Sequence, residues 1–319
     1  MSNFLIAATV LAAAASSHAA SLPPALARLP YPQGHVLALQ ICLDRRRFSP
    51  NTFDGQYGRK TKTAFAAWCK SQGRSTPPDG DHAKFWQEYF PDETNLLCEA
   101  TVAQGDFDAL VAIPDAPAGK ASLQSMGFAT IQEAFASRGH LTENTLQRLN
   151  PNLAWPNPPV GSRVTLPSFP LPEVGANGRR PRPPQAAALE VSLSEFSVAA
   201  LDSMGRTLAL FPCSIAADKA KRPAAGLLKV TTLIPKPNYT YTPDGSTSAK
   251  GRFIFPPGPK NPVGLAWIGL SLPGYGIHGT PRPESIGRAE SHGCFRLANW
   301  NAVLLLDMVQ SGTPVFVKP

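Results

Sequence analysis

The spacing of apolar residues changes once along this chain and divides it into a helical part and a β part. Between residues 35 and 70 the apolar residues recur at the spacing of amphipathic helices, as in the run from Thr61 to Trp68. From Ala188 onward they alternate with a period of two, which is typical of half-buried strands. One clear helical pattern, from Asn299 to Gln310, interrupts the second part. The sequence therefore predicts a multidomain protein with a small N-terminal helical bundle and a C-terminal, mainly β domain with one helix.

Proline-rich and small-residue stretches suggest where these parts begin and end. The chain has 319 residues, enough for two or three domains. Residues 1–20 are predicted to be a signal peptide, because an apolar run is followed by small residues suited to cleavage. Residues 33–100 are predicted to form the helical module and residues 101–170 a middle segment. A Pro- and Arg-rich linker over 171–187 then precedes the β domain at 188–319.

The leader and the net charge together indicate a compartment and a class of partner. The apolar run of the leader is too short to span a bilayer, and no other candidate span follows. We therefore expect an exported protein of the periplasm or cell envelope. Its formal charge of +8 suits an anionic wall polymer, and export makes nucleic acid the poorest partner. A basic surface with no specific partner is the alternative, and the sequence indicates no oligomeric state.

The chain has five cysteines, and an odd number leaves at least one thiol over in an oxidising compartment. If Cys294 is the unpaired one, the other four allow three connectivities. Those four are Cys42, Cys69, Cys98 and Cys213. A cysteine retained in a turn rich in His and Gly indicates a thiol nucleophile.

Two short segments bring the residues of such a nucleophile together in the sequence. Cys294 lies two residues after His292, and His278 lies 16 residues before Cys294. In an extended strand, residues 292 and 294 would point to one face, with His278 on an adjacent strand. Gly293 would let the backbone approach a substrate and direct N–H groups at an oxyanion. Two alternatives stay open: a zinc site made by the two histidines and the cysteine, or a purely structural cluster.

The run from His278 to Thr280, followed by Ser291-His-Gly-Cys-Phe-Arg-Leu297 and Asn299, resembles the L,D-transpeptidase (YkuD-like) catalytic domain. The resemblance covers about 130 residues, from Leu189 to Val317, and implies an L,D-transpeptidase-like β-sandwich that needs neither a metal nor an organic cofactor. It implies the following roles: Cys294 as nucleophile, His278 as general base oriented by the carbonyl of Gly279, His292 as support for the thiolate, Gly293 as an oxyanion donor, Ser291 as a hydrogen-bonding residue of the loop, and Arg296 as the partner of a substrate carboxylate.

The resemblance also implies a reaction on the stem peptides of peptidoglycan. Cys294 would attack the carbonyl of the L-centre residue of a tetrapeptide stem and release the terminal D-alanine. Transfer of the thioester to an amine of another stem gives a 3→3 cross-link. Transfer to water gives carboxypeptidase activity, and transfer to a protein amine gives anchoring to the wall. A catalytically silent wall-binding protein is the alternative from another class.

Two weaker resemblances lie in the helical part. Gln40, the run Phe48-Ser-Pro, the Asp54-Gly-x-x-Gly58 turn and the Ala64-Phe-x-x-Trp68 helix resemble the peptidoglycan-binding domain 1 family over about 35 residues. That resemblance implies binding to the glycan, with a structural spacer as the alternative. The helix and strand predicted within 141–167 look like the second half of a LysM module, with a packing subdomain as the alternative.

Overall fold

The computed structural model describes residues 21–78, 80–169, 181–224, 226–243, 251–291 and 293–319. The predicted signal peptide, most of the predicted linker and His292 lie outside the described residues. Within the described ranges, no helix has both the length and the hydrophobicity that a membrane span requires.

The N-terminal part is built mainly from helices. The helix pair predicted within residues 35–70 is present as α2 (Gln33–Arg45) and α3 (Arg59–Ser71). Helix α3 buries Ala64, Phe65 and Trp68, as its apolar spacing predicts. The remaining helices of this part are α1 (Pro24–Ala27), α4 (Phe85–Tyr89), α5 (Gln104–Asp108), α6 (Pro117–Ala121), α7 (Ile131–Arg138) and α8 (Glu143–Leu149).

The middle segment is closed by a pair of antiparallel strands. Strand β1 (Leu97–Thr101) pairs with β2 (Arg163–Pro167), so the intervening chain leaves and returns at the same place. The helix predicted before Pro151 is α8, and the Asn150 side chain ties it to β2. Asn150 Nδ2 donates to Thr165 O at 2.9 Å, and Thr165 N donates back to Asn150 Oδ1 at 2.7 Å. One hydrophobic cluster extends from Leu26 to Leu166 and so includes both the predicted module and the middle segment.

The C-terminal part is mainly β, as predicted, but the described strands form one curled sheet rather than the two sheets of a sandwich. The eight strands of this sheet follow the order β13-β11-β10-β7-β14-β3-β4-β5. Strand β7 has ten residues; its first half pairs with β14 and its second half with β10, so that one strand belongs to both halves. The strands are β3 (Ala188–Ser192), β4 (Ser197–Leu201), β5 (Thr207–Pro212), β7 (Gly226–Pro235), β10 (Ala266–Leu270), β11 (Gly276–His278), β13 (Phe295–Arg296) and β14 (Pro314–Lys318).

Two short strand pairs and one helix complete this part. Strand β6 (Ile215–Ala216) pairs with β12 (Ala289–Ser291), and β8 (Tyr239–Tyr241) pairs with β9 (Phe253–Phe255). Helix α9 (Asn299–Met308) ends two residues earlier than predicted, because Val309 is already extended. It buries Ala302, Leu305 and Met308 in the same cluster as the inward side chains of the sheet.

The helical part packs directly on one side of the curled sheet. Leu210 of β5 and Ala199 of β4 belong to the hydrophobic cluster of the helical part, although both lie in strands of the sheet. The His140 ring stacks on Trp300 of α9, with 4.4 Å between ring centroids. The two parts are therefore joined by apolar burial as well as by hydrogen bonds.

Candidate active site

Two neighbouring parallel strands place the predicted base and nucleophile beside one pocket. Strand β11 pairs with β13 so that Ile277 lies opposite Phe295 and His278 lies opposite Arg296. Ile277 and Phe295 are fully buried in the core. Because side chains alternate along a strand, His278 and Arg296 face the other side of the sheet. There they line a pocket of about 370 Å³ together with Cys294.

The strand predicted through residues 292–294 is wrong for Gly293 and Cys294, which lie in a bend just before β13. Gly293 has a φ of +156°, a conformation that favours glycine. A Cβ atom at this position would also lie 3.3 Å from Tyr275 Cε1. The backbone of Ser291 ends β12, and its predicted neighbour His292 lies outside the described residues. The bend, rather than strand alternation, therefore places Cys294 at the pocket.

The His278 ring is held in one orientation beneath the pocket. Its Nδ1 lies 2.6 Å from Gly279 O, and Trp267 stacks on its other side at 5.5 Å between ring centroids. A carbonyl oxygen only accepts, so Nδ1 carries the proton and Nε2 has the lone pair. Burial lowers the pKa of His278 to about 4; the Gly279 hydrogen bond opposes this and the charge of Arg296 adds to it. At neutral pH the ring is therefore an uncharged base.

The Cys294 thiol is half-buried and protonated at rest. Burial raises its pKa, while a backbone hydrogen bond from Gly276 and the charge of Arg296 act in the opposite direction. Its Sγ lies 3.5 Å from Gly274 O, a distance at which the thiol can donate to the carbonyl. The resting pair is thus a neutral thiol and a neutral imidazole.

Tight packing behind Gly279 constrains the position of the peptide that holds His278. Asn299 Oδ1 accepts from Leu265 N at 3.1 Å, and its Nδ2 donates to Pro259 O at 2.9 Å. A Cβ at Gly264, whose φ is +65°, would lie 2.1 Å from Asn299 Oδ1 and 2.6 Å from the carbonyl carbon of Gly279. Asn299, part of the sequence motif, thus supports the peptide that holds His278.

Sequence reasoning missed three aromatic residues of the pocket: Tyr239, Trp267 and Tyr275. A signal for Trp267 was available, because Ala266, Ile268 and Leu270 of the same strand are the core residues. Alternation then directs Trp267 to the side that also carries His278. Tyr275 offered no such signal, since it lies in the turn between β10 and β11.

The structure also shows the state of the other four cysteines and bears on the alternative of a zinc site. No cysteine forms a disulfide in the structure; Cys42, Cys69 and Cys213 are buried, and Cys98 is exposed. Burial raises the pKa of Cys42 to about 12 and also raises that of Cys213. Among the described residues, no group of three His, Cys, Asp or Glu side chains could hold a metal. His292, the third ligand of the zinc alternative, lies outside them.

Among known protein families, the model of the L,D-transpeptidase catalytic domain, YkuD, matches residues 186–317 of this chain. Proteins of Bacillus licheniformis and Bacillus subtilis, both provisionally assigned as the L,D-transpeptidase YkuD, are 42% identical over 73 residues and 45% identical over 60 residues. A provisionally assigned L,D-transpeptidase of Fuscovulum blasticum is 36% identical over 110 residues. These alignments cover 22%, 19% and 34% of this chain. The chain spans 44%, 37% and 57% of the relatives' own lengths.

Solved structures of the same family share weaker similarity with this chain. L,D-transpeptidase 3 from Mycobacterium tuberculosis, crystallised with a faropenem-derived adduct, is 16% identical with a TM-score of 0.34. That match covers 41% of this chain and 60% of the other. The NMR structure of the catalytic domain of the E. faecium L,D-transpeptidase is 25% identical with a TM-score of 0.32, and the match covers 41% and 95% of the two chains. The similarity of residues 186–317 to the L,D-transpeptidase catalytic domain rests on the sequence match with the family model alone.

Proposed function

We propose that this protein, with an L,D-transpeptidase catalytic domain over residues 186–317, forms 3→3 cross-links in peptidoglycan through a thioester on Cys294. The observation that carries the proposal is the placement of Cys294 and His278 on one pocket, with the His278 ring oriented by Gly279 O. A thiol and an oriented, neutral imidazole that serves as its base are the parts that acyl transfer to a cysteine requires.

The proposed first step follows from the protonation states of the pair. As Cys294 Sγ attacks the carbonyl carbon of the L-centre residue, its proton passes to His278 Nε2. The backbone N–H groups of Gly293 and Cys294 stabilise the resulting oxyanion. The bond to the terminal D-alanine nitrogen then breaks, and the proton on His278 passes to that amine. The product is the thioester and free D-alanine.

The second step resolves the thioester with an amine of another stem. The amine attacks the thioester carbon while His278 accepts a proton from it, and the Sγ–C bond breaks. Cys294 leaves as a thiolate that takes the proton back from His278. Arg296, which lines the pocket, is proposed to pair with a stem carboxylate, because a guanidinium binds a carboxylate in bidentate fashion. Ser291 and His292 are proposed to support the loop around the nucleophile.

Mass spectrometry of purified tetrapeptide muropeptide, incubated with the mature protein, tests this proposal. We expect a dimer with wild type, none with Cys294→Ala, and an unchanged yield with Cys98→Ala, a matched change at an exposed cysteine. Tripeptide without dimer would replace cross-linking by carboxypeptidase activity on the same site. Turnover that persists in Cys294→Ala would contradict the assignment of the nucleophile, and no product from folded wild type would favour a silent wall-binding protein.

A further inference from the structure

Residues 282–288, here called the entry segment, precede the bend that contains Gly293 and Cys294. The β domain contacts both this segment and the residues that follow the bend. Ser214 Oγ donates to Ser285 O at 3.0 Å. The backbone of Ser214 also exchanges two hydrogen bonds with Arg296, at 2.9 and 3.0 Å, on the other side of Cys294. One residue of the β domain therefore fixes the chain on both sides of Cys294.

The helical part contacts three further carbonyls of the same segment. The donors are one side chain from the loop before α3 and two from the first turn of that helix, and each meets a different carbonyl. Asn51 Nδ2 donates to Pro283 O at 2.8 Å, Arg59 Nη2 to Gly287 O at 2.6 Å, and Lys60 Nζ to Ile286 O at 3.3 Å. The entry segment thus lies between Ser214 on one side and α3 on the other.

Buried hydrogen bonds of Gln40 connect the loop before α3 with the first turn of that helix, which carries Arg59 and Lys60. Gln40 is fully buried, and its Oε1 accepts from the backbone N–H groups of Asp54 and Gly55 at 3.1 and 3.0 Å. Its Nε2 donates to Asp54 Oδ1 at 2.9 Å and to Thr61 Oγ1 at 3.0 Å. This is the loop whose sequence predicts binding to the glycan. Its buried hydrogen bonds fix the start of α3 within the helical part, from which Arg59 and Lys60 reach the entry segment.

The Lys60 ammonium is an unusual group to find at the contact between α3 and the entry segment. It is half-buried, and burial lowers its pKa, while the charge of Asp54 acts in the opposite direction. An ammonium loses hydration when it is buried, so an apolar contact would stabilise this interface more simply. An ammonium can, however, hold a backbone carbonyl at a fixed distance, which an apolar side chain cannot do.

We propose that Lys60, assisted by Arg59 and Asn51, is a positioning residue for the active site, so that the helical part sets the position of Cys294. The inference rests on the proposed role of Cys294 as nucleophile. Movement of the entry segment would shift the thiol relative to the base, and a displacement of about 1 Å costs up to about a hundredfold in rate. Substrate contacts in the pocket would remain, so that kcat falls and KM does not change.

The test compares Lys60→Met and Lys60→Arg with Lys62→Met in the full chain. Lys62 lies on the same helix but approaches the Tyr57 ring, within the helical part. Release of D-alanine from tetrapeptide muropeptide gives kcat and KM, and thermal unfolding confirms the fold. We expect kcat of Lys60→Met to fall about tenfold or more with KM within about twofold, while Lys60→Arg restores most of the rate. We expect Lys62→Met to match wild type.

A second readout keeps this inference separate from the proposed reaction. Alkylation by iodoacetamide, followed peptide by peptide, reports the reactivity of Cys294 against the exposed Cys98 as internal reference. If wild type releases no D-alanine, the proposed function fails, but a changed Cys294 to Cys98 alkylation ratio in Lys60→Met still supports positioning. If Lys60→Met does not fold, a variant of the exposed Arg59, Arg59→Met, replaces it. We expect a smaller fall in kcat for this variant, again with KM unchanged. An unchanged kcat and alkylation ratio, a rise in KM alone, or an equal loss in Lys62→Met would overturn the inference.

Discussion

At the scale of single residues, the protonation states of His278 and Cys294 predict how the rate depends on pH. The pKa of His278 is about 4 rather than its ordinary value of about 6.5. Below pH 4 the ring is protonated and accepts no proton, so the acylation rate falls as pH falls through about 4. Between pH 5 and 8 both groups keep their protonation states, and we expect an essentially flat rate.

Single-turnover release of D-alanine from pH 3.5 to 9, with circular dichroism at each pH, measures this profile. Because Arg296 lowers the pKa of His278, Arg296→Gln should move the acid limb to higher pH, whatever it does to KM. An acid limb near pH 6.5 in wild type would show an ordinary solvated histidine and would contradict the buried neutral base. A Cys294 alkylated equally fast at pH 5 and pH 8 would contradict the neutral thiol.

At the scale of elements, the sequence predicted long strands well and short strands poorly. Strands β3, β4 and β5 have enough alternating residues to show the period, and a turn from Asp202 to Gly205 joins the last two. Strands β6 and β12 have two and three residues, too few for any pattern, and exist because they pair with each other. The sequence therefore located His278 and Cys294 without showing the bend that places the thiol.

The contact between the middle segment and the pocket rim is another feature set by packing. Met126 N donates to Pro257 O at 2.9 Å and Lys260 N donates to Met126 O at 3.0 Å, close to Pro262 and Val263 of the pocket. This approach requires glycine at position 258, where a Cβ would lie 2.2 Å from Met126 O. No periodicity in the sequence indicates such a contact.

The approach at Gly258 predicts a measurable loss of stability. Gly258→Ala adds a steric clash to an unfavourable φ of +152°, whereas Gly226→Ala meets an almost identical φ of +157° in open space. We expect the free energy of unfolding to fall about 1–3 kcal/mol further in Gly258→Ala than in Gly226→Ala, because overpacking adds to the backbone term. Urea denaturation measures both. Equal losses would mean that the middle segment moves aside at no cost.

At the scale of the whole molecule, the two parts share apolar packing, which makes them unlike modules on a flexible tether. Leu210 lies in β5 of the sheet yet is only 7% exposed, because it is part of the helical cluster. The sequence predicted the helices and the strands separately, but alternation says only that Leu210 is buried on some face. It does not say which partner covers that face, so the contact between the parts could not be predicted.

Shared packing predicts that the helical part and the sheet unfold together. Leu210→Ala removes a buried side chain at the contact, which costs about 2–5 kcal/mol. If the parts are coupled, urea unfolding followed by far-UV circular dichroism for the helices and by hydrogen exchange for the strands shows one coincident transition. Both probes then shift to lower urea in Leu210→Ala. The control, Met204→Ala, changes a side chain that is 75% exposed in the adjacent turn and should shift neither. Two separate transitions, of which Leu210→Ala moves only one, would mean that the helical part folds independently of the β part. The proposed effect of Lys60 on the position of Cys294 would then need a purely local cause.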